Sequence, residues 1–298
     1  MIKRIYILFI SLLFTQIVFG QFIGKDAVSK ALFYLQKNEI DSSKKYIDEA
    51  NFDQELLIQP KTWYYKGLIY KDLYKLYEKD NKDSPFRLTA VASLIKLNEV
   101  DTAKEFIESA KKMMTYLAST FYNDAARSLN PQVYKNAEDY YRKYKELMVL
   151  SNSETDLIQQ DVKFKLALAS MLNQELEGKT VKDSSKVNEV KHLYSNILTL
   201  DSNNGSANYN IGILYYNEAV ELINNMDYDM DLEKLNEMQD RCIDLFLKAL
   251  PYMTKSYELK YHLEETLKGL ENIYHGLNDT EKEEFFKKLN ELPPSPEK

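Results

Sequence analysis

The chain has 298 residues, with 39 Lys and Arg against 46 Asp and Glu and a formal net charge of −7. That acidity repels phosphate backbones and anionic membrane surfaces, and no basic patch with interleaved aromatics offsets it, so neither is an expected partner. Only 8 Gly and 7 Pro occur, and few turn formers together with long stretches of 3.6-residue periodicity predict an all-α chain with short connections.

The first twenty residues read as a secretory signal peptide. Lys3 and Arg4 form a basic head, residues 5–19 are apolar apart from Ser11, Thr15 and Gln16, and Gly20 offers a small residue before Gln21. The apolar run is shorter than the roughly 20 residues of a membrane-spanning helix. The expectation is an exported chain, periplasmic or secreted, with no integral span after cleavage near Gly20. Losing Lys3 and Arg4 leaves 37 basic against 46 acidic residues, a mature charge of −9. Cys242 is the single cysteine, so no internal disulfide forms, and its expected role is a small buried apolar side chain.

Two stretches share one spaced signature, Trp63-x2-Lys66-Gly67-x2-Tyr70 and Asn208-x2-Ile211-Gly212-x2-Tyr215. At helical spacing Trp63, Gly67, Tyr70, Tyr74 and Tyr77 share one face. The signature resembles the first-helix half of a tetratricopeptide repeat, Trp-x2-Leu-Gly-x2-Tyr in its ideal form. More narrowly, the chain is similar to exported repeat proteins of the Bacteroidetes type, with Asp201-Ser202-Asn203-Asn204 standing where such repeats read Asp-Pro-Asn-Asn. Lys66 for Leu, Asn208 for Trp and Ser202 for Pro depart from the ideal.

The repeat register extends through the chain. Ala31 is followed at repeat offsets by Ser43, Ile47 and Ala50, and Ala125 by Ala137, Tyr141 and Tyr144. Second-helix patterns recur as Ala103-x3-Ile107-x2-Ala110, Val190-x3-Tyr194-x2-Ile197 and Ala249-x3-Met253-x2-Ser256. One hairpin cannot bury its apolar face alone, so several must stack. The predicted hairpins run over about 22–53, 60–116, 117–150, 157–200 and 204–261, with a capping pair over 262–291 and a disordered tail over 292–298. Thr280-x2-Glu283 reads as a capping box opening the last helix. Gly67 to Ala103 and Gly212 to Ala249 are far longer than the repeat ideal, which predicts an extended first helix or an inserted segment in each, around 78–101 and 224–241.

The resemblance implies an α-solenoid, a right-handed superhelix whose concave groove binds a peptide or helix of a partner. Carried onto this chain, its groove positions are Tyr64, Leu68 and Lys71 in one hairpin, Tyr122, Ala126 and Leu129 in another, and Tyr209, Ile213 and Tyr216 in a third. Val28 takes the equivalent place in the first hairpin. Flat aromatics with a polar tip suit such contacts. The Lys and Asn that clamp a terminal carboxylate in some relatives are absent.

The expected function is therefore a non-enzymatic scaffold or adaptor of the cell envelope. The alternative is a small-ligand-binding protein or hydrolase using a pocket framed by the two insertions. No cofactor and no metal is expected. Asp227-x-Asp229-x-Asp231 opens like a calcium loop, but Leu232 stands where Gly is needed and Met238 where Glu is needed. His192, His262 and His275 lack metal-ligand spacing, and no phosphate-binding glycine loop or nucleophile elbow occurs.

Overall fold

The computed structural model describes residues 24–152, 154–177, 183–227, 229 and 231–291. The expected signal peptide and the 292–298 tail lie outside them. Among the described residues every regular element is a helix. They fall into two compact units. The first takes the described residues up to Ser128 together with Lys135–Thr155, and the second takes Leu129–Tyr134 and the described residues from Asp156 onward.

In the first unit α1 (Ala27–Gln36) pairs with α2 (Ile40–Glu49). Asp26 caps α1 by accepting from Ser29 N at 2.9 Å. Asn38 turns the corner in the left-handed region, φ 59°, which Asn tolerates better than most residues. Ala31, Ser43, Ile47 and Ala50 are fully buried. Ser43 Oγ donates to Ala31 O at 2.8 Å, so the small pair fixes how closely the two helices cross.

After a short α3 (Gln54–Leu57), α4 (Pro60–Leu73) starts on a proline suited to its first turn. It continues through a π-helical turn, Tyr74–Glu78. Gly67 faces α5 (Pro85–Val100), where a Cβ would lie 2.9 Å from Leu94 Cδ2. The partner of α4 is thus α5, and residues 85–100 are the second helix of the hairpin, correcting the expected insertion over 78–101. Ala103 is exposed in the turn after α5, and the small residue opposite Gly67 is Ala90. The cause is length: extending α4 through the π turn moves its partner helix further along the chain. The same turn places Tyr77 in solvent, 55% exposed, while Tyr70 and Tyr74 stay buried. An i→i+5 turn rotates the face that a 3.6-residue period would hold inward.

Ile107 opens α6 (Ile107–Arg127), a single helix carrying both Ala110 and Ala125. The second hairpin therefore ends at Val100, where the sequence register put it at 116. Helix α7 (Tyr134–Ser151) packs on α6 through Tyr122, whose ring centroid is 5.2 Å from that of Tyr144. Arg87 of α5 is entirely buried between the helices. Its Nη1 donates to Asp124 Oδ2 at 2.6 Å and Thr120 Oγ1 at 3.2 Å, and its Nη2 donates to Lys82 O. The guanidinium lies 4.0 Å from the Phe121 ring centroid.

The second unit holds α8 (Ile158–Glu177), α9 (Ser184–Leu200), α10 (Gly205–Asn224), α11 (Leu232–Glu258), α12 (Leu263–Gly276) and α13 (Thr280–Glu291). They pack in sequential antiparallel pairs. Ala219, Phe246, Ala249, Met253, Leu270 and Ile273 form the centre of one hydrophobic core. Gly212 lets α10 close on α11, since a Cβ there would meet Met253 Cγ at 2.8 Å. Residues 232–241 are the first turns of the 27-residue α11, so the expected insertion over 224–241 reduces to the loop before it. Asp279 caps α13, its Oδ1 accepting from Lys282 N at 3.2 Å, and Thr280 is already the first helical residue. That displaces the expected capping box by one residue.

The two signature copies are alike in a way their side chains hide. Trp63 Nε1 donates to Leu57 O at 2.8 Å, and Asn208 Nδ2 donates to Ser202 O at 3.1 Å. Each reaches six residues back to tie its helix to the segment before it, the end of α3 in one copy and the turn after α9 in the other. Asn208 also donates to Asn204 O at 2.9 Å and is almost fully buried.

Candidate binding groove

Helix α10 owes its start to Asn204, whose Oδ1 accepts from Ala207 N at 3.0 Å. One face of α10, centred on Ile211, Gly212 and Ala219, is buried. The opposite face borders a cavity of about 530 Å³ whose other walls come from α8, α9 and Arg241 of α11. That volume lies in the range of ligand pockets, about 300–1,000 Å³.

Along α10 the lining changes character. Tyr209, Ile213 and Leu214 form its first half, while Asn217, Glu218, Glu221 and Asn225 follow toward the helix C-terminus. Leu176 and Val187 add apolar surface from α8 and α9, and Asn173, Glu177 and Asn188 add polar groups. Asn173 Nδ2 donates to Glu177 Oε1 at 2.8 Å. Glu218 is held from two sides: Lys191 Nζ bonds Oε2, and Arg241 Nη2 lies 3.8 Å from Oε1. Lys191 is itself nearly buried and sits 4.1 Å over the Tyr215 ring. Tyr209 stacks on His262 at 5.0 Å between ring centroids, and burial first, then Glu265, pushes its hydroxyl pKa up. Glu177 and Glu221 make no ion pair among the described residues.

Of the residues expected in a groove, Tyr209 and Ile213 line this cavity. Tyr216 does not. Its hydroxyl accepts from Asn272 Nδ2 at 3.0 Å and its ring packs on Phe246, so it joins α10 to the core. Tyr64, Leu68, Lys71 and Tyr122 belong to the first unit. There Tyr64 stacks on Phe106 at 4.7 Å, Lys71 Nζ pairs with neighbouring Asp72 at 3.0 Å, Leu68 is half-buried, and Tyr122 joins the tyrosine cluster of α7. A second cavity of about 530 Å³ in that unit is lined by Val28, Leu32, Pro60, Lys61, Tyr65 and Phe106 among others. Its tyrosine is Tyr65, one residue from the expected Tyr64.

The polar wall of the α10 cavity went unread in the sequence. Its signal was present: Asn210, Leu214, Asn217, Glu221 and Asn225 recur every three or four residues along one helix face.

Elsewhere, Cys242 is buried with Sγ 3.8 Å from Ala219 O, and burial pushes its thiol pKa up. Asp227 accepts from Asp229 N at 3.0 Å, and Asp231 caps α11 at Lys234 N. Among the described residues no group of three or more His, Cys, Asp and Glu is placed to hold a metal ion. No described helix is long and apolar enough to cross a membrane.

No family model matches the chain, and no curated protein matches it. Among solved structures it is similar to a monomeric mutant of IFIT1 with Gppp-AAAA, at 17% identity and a TM-score of 0.28. That likeness covers 89% of this chain and 59% of the other, so the chain spans about three-fifths of that protein's length. At such a TM-score the fold rests on the helices described above: an all-α chain of antiparallel helix hairpins.

Proposed function

We propose that the chain is a protein-interaction module of the tetratricopeptide type, and that the groove along α10 receives a peptide or helix of a partner. The observation that carries this reading is the groove itself. An apolar half (Tyr209, Ile213, Leu214) and a polar half (Asn217, Glu221, Asn225) lie on one open helix face beside α8 and α9. Apolar groups supply burial, and amides that both donate and accept fix the orientation of what lies against them. The proposal includes export of the chain, on the signal-peptide reading of residues 1–20, and action as an envelope scaffold or adaptor. Tyr64 and Tyr122 on the first unit are proposed as further contact residues.

The test is cross-linked capture of partners from the native envelope by residues 21–298, compared with a Tyr209→Ala, Ile213→Ala variant of equal helical content by circular dichroism. A partner recovered with the parent and lost with the variant is the expected result. The same proteins in equal yield from both would refute the groove assignment.

A second reading is a small polar ligand in the same cavity, favoured by its volume and by Asn225 and Arg241 in its lining. The other expected frame, residues 78–101, belongs to the first unit and borders no part of this cavity. Isothermal titration against a panel of sugars and amino acids tests it. Heat that vanishes in Asn217→Ala would favour this reading, and absence of heat would exclude the panel.

A further inference from the structure

We infer that the occupant of the α10 groove is an extended peptide presenting a Lys or Arg side chain to Glu221, three to four residues from an apolar side chain seated on Ile213. This rests on the groove reading above and specifies the chemistry of its partner. The first argument is charge. Among the described lining residues the carboxylates are Glu177, Glu218 and Glu221, against one guanidinium, Arg241. Glu218 is already engaged by Lys191 and Arg241. Glu221 has no cationic partner among the described residues and lies in the last turn of α10, where the backbone carbonyls present the negative end of the helix dipole. Asp227 and Asp229 follow in the loop after α10, and among the described residues Asp227 pairs with no cation. A cation arriving at this end of the groove meets more negative than positive charge, because Arg241 already faces Glu218.

The second argument concerns conformation. The side-chain amides of Asn188, Asn217 and Asn225 line the cavity and hold no side-chain hydrogen bond among the described residues. An amide of this kind complements the paired N–H and C=O of an extended backbone, which a helical occupant has already satisfied internally. The spacing follows from helix geometry. Ile213 and Glu221 are eight residues apart on α10, about 12 Å along its axis at about 1.5 Å per residue. An extended strand rises about 3.3 Å per residue, so three to four residues cover that span.

The experiment is selection from a phage-displayed library of random twelve-residue peptides on residues 21–298, with counter-selection on Ile213→Glu and on Asn217→Arg. The second variant obstructs the groove from a half-exposed position if the first perturbs the core. The expected result is a set of clones lost on both variants and enriched in Lys or Arg three to four residues from an apolar side chain. Their synthetic peptides should bind Glu221→Gln about three- to fivefold more weakly at low salt, the scale of one partly exposed ion pair. Groove-dependent clones without basic enrichment, or indifferent to Glu221→Gln, would overturn this inference and leave the groove reading standing. Clones that bind both variants as well as the parent would overturn both.

Discussion

Removing the carboxylate of Asp124 strands a guanidinium in the interior of the first unit. Arg87 has no exposed surface, and Asp124 is its only ionic partner among the described residues. Asp124→Ala leaves Arg87 with the hydroxyl of Thr120, the carbonyl of Lys82 and the ring of Phe121. Breaking one side of a buried pair typically costs about 3–5 kcal/mol. The remaining donors and the aromatic face place this case near the lower end, about 3 kcal/mol. For a unit of this size, about 2–4 °C is lost per kcal/mol, so the thermal midpoint should fall by about 6–12 °C. Hydrogen exchange read by mass spectrometry locates the effect: amides of α5 and α6 should lose protection, and those of α12 and α13 should not. Arg87→Met combined with Asp124→Leu should restore most of the loss, because the pair is replaced by packed apolar groups. A cost below about 1 kcal/mol for Asp124→Ala would show a solvated pair and refute the reasoning.

Gly67→Ala should destabilise by about 1–2 kcal/mol in urea unfolding, since the new Cβ sits 2.9 Å from Leu94 Cδ2. The double change with Leu94→Ala should cost less than the sum of the two, and strict additivity would argue against close approach of α4 and α5. Asn208→Leu removes the donor to both Ser202 O and Asn204 O. It should cost about 1–2 kcal/mol, and a neutral result would mean that water serves those carbonyls equally well. Burial raises the hydroxyl pKa of Tyr70, which also donates to Asp48 at 2.7 Å, to about 12, and burial raises that of Tyr194 to about 12. Folding favours their neutral forms, so this contribution is complete below pH 10 and is lost as pH rises from 10 to about 12. Absorbance titration of the phenolates should show two late tyrosines, and Tyr70→Phe should remove one. Ionisation of both near pH 10 would contradict their burial.

How far the sequence carried depended on helix length. Where a hairpin keeps ordinary repeat length, small residues at repeat offsets landed at the crossing, as with Ala31 over Ser43 and the buried Ala125 and Ala137. In the α4–α5 hairpin the same offsets misled. Ala103 satisfied the pattern by chance, while Ala90 and Leu94 lie opposite Gly67. Nothing local in residues 74–78 announces a π turn, so the outward position of Tyr77 was not legible. Of the cavity lining, Tyr209 and Ile213 were legible through the family resemblance, which fixes positions on either side of Gly212. Glu177, Asn188 and Arg241 were not, because they come from other helices and meet only through tertiary packing.

The backward reach of Trp63 and Asn208 changes what the signature position demands. What the two copies share is an N–H that spans six residues to a backbone carbonyl of the preceding segment, delivered by indole in one and carboxamide in the other. Selection at that site can therefore act on donor reach and leave size and aromaticity free to drift. Gln or His should substitute there more readily than Phe or Leu of comparable bulk. A search keyed to the aromatic would pass over repeats that this stitch still closes.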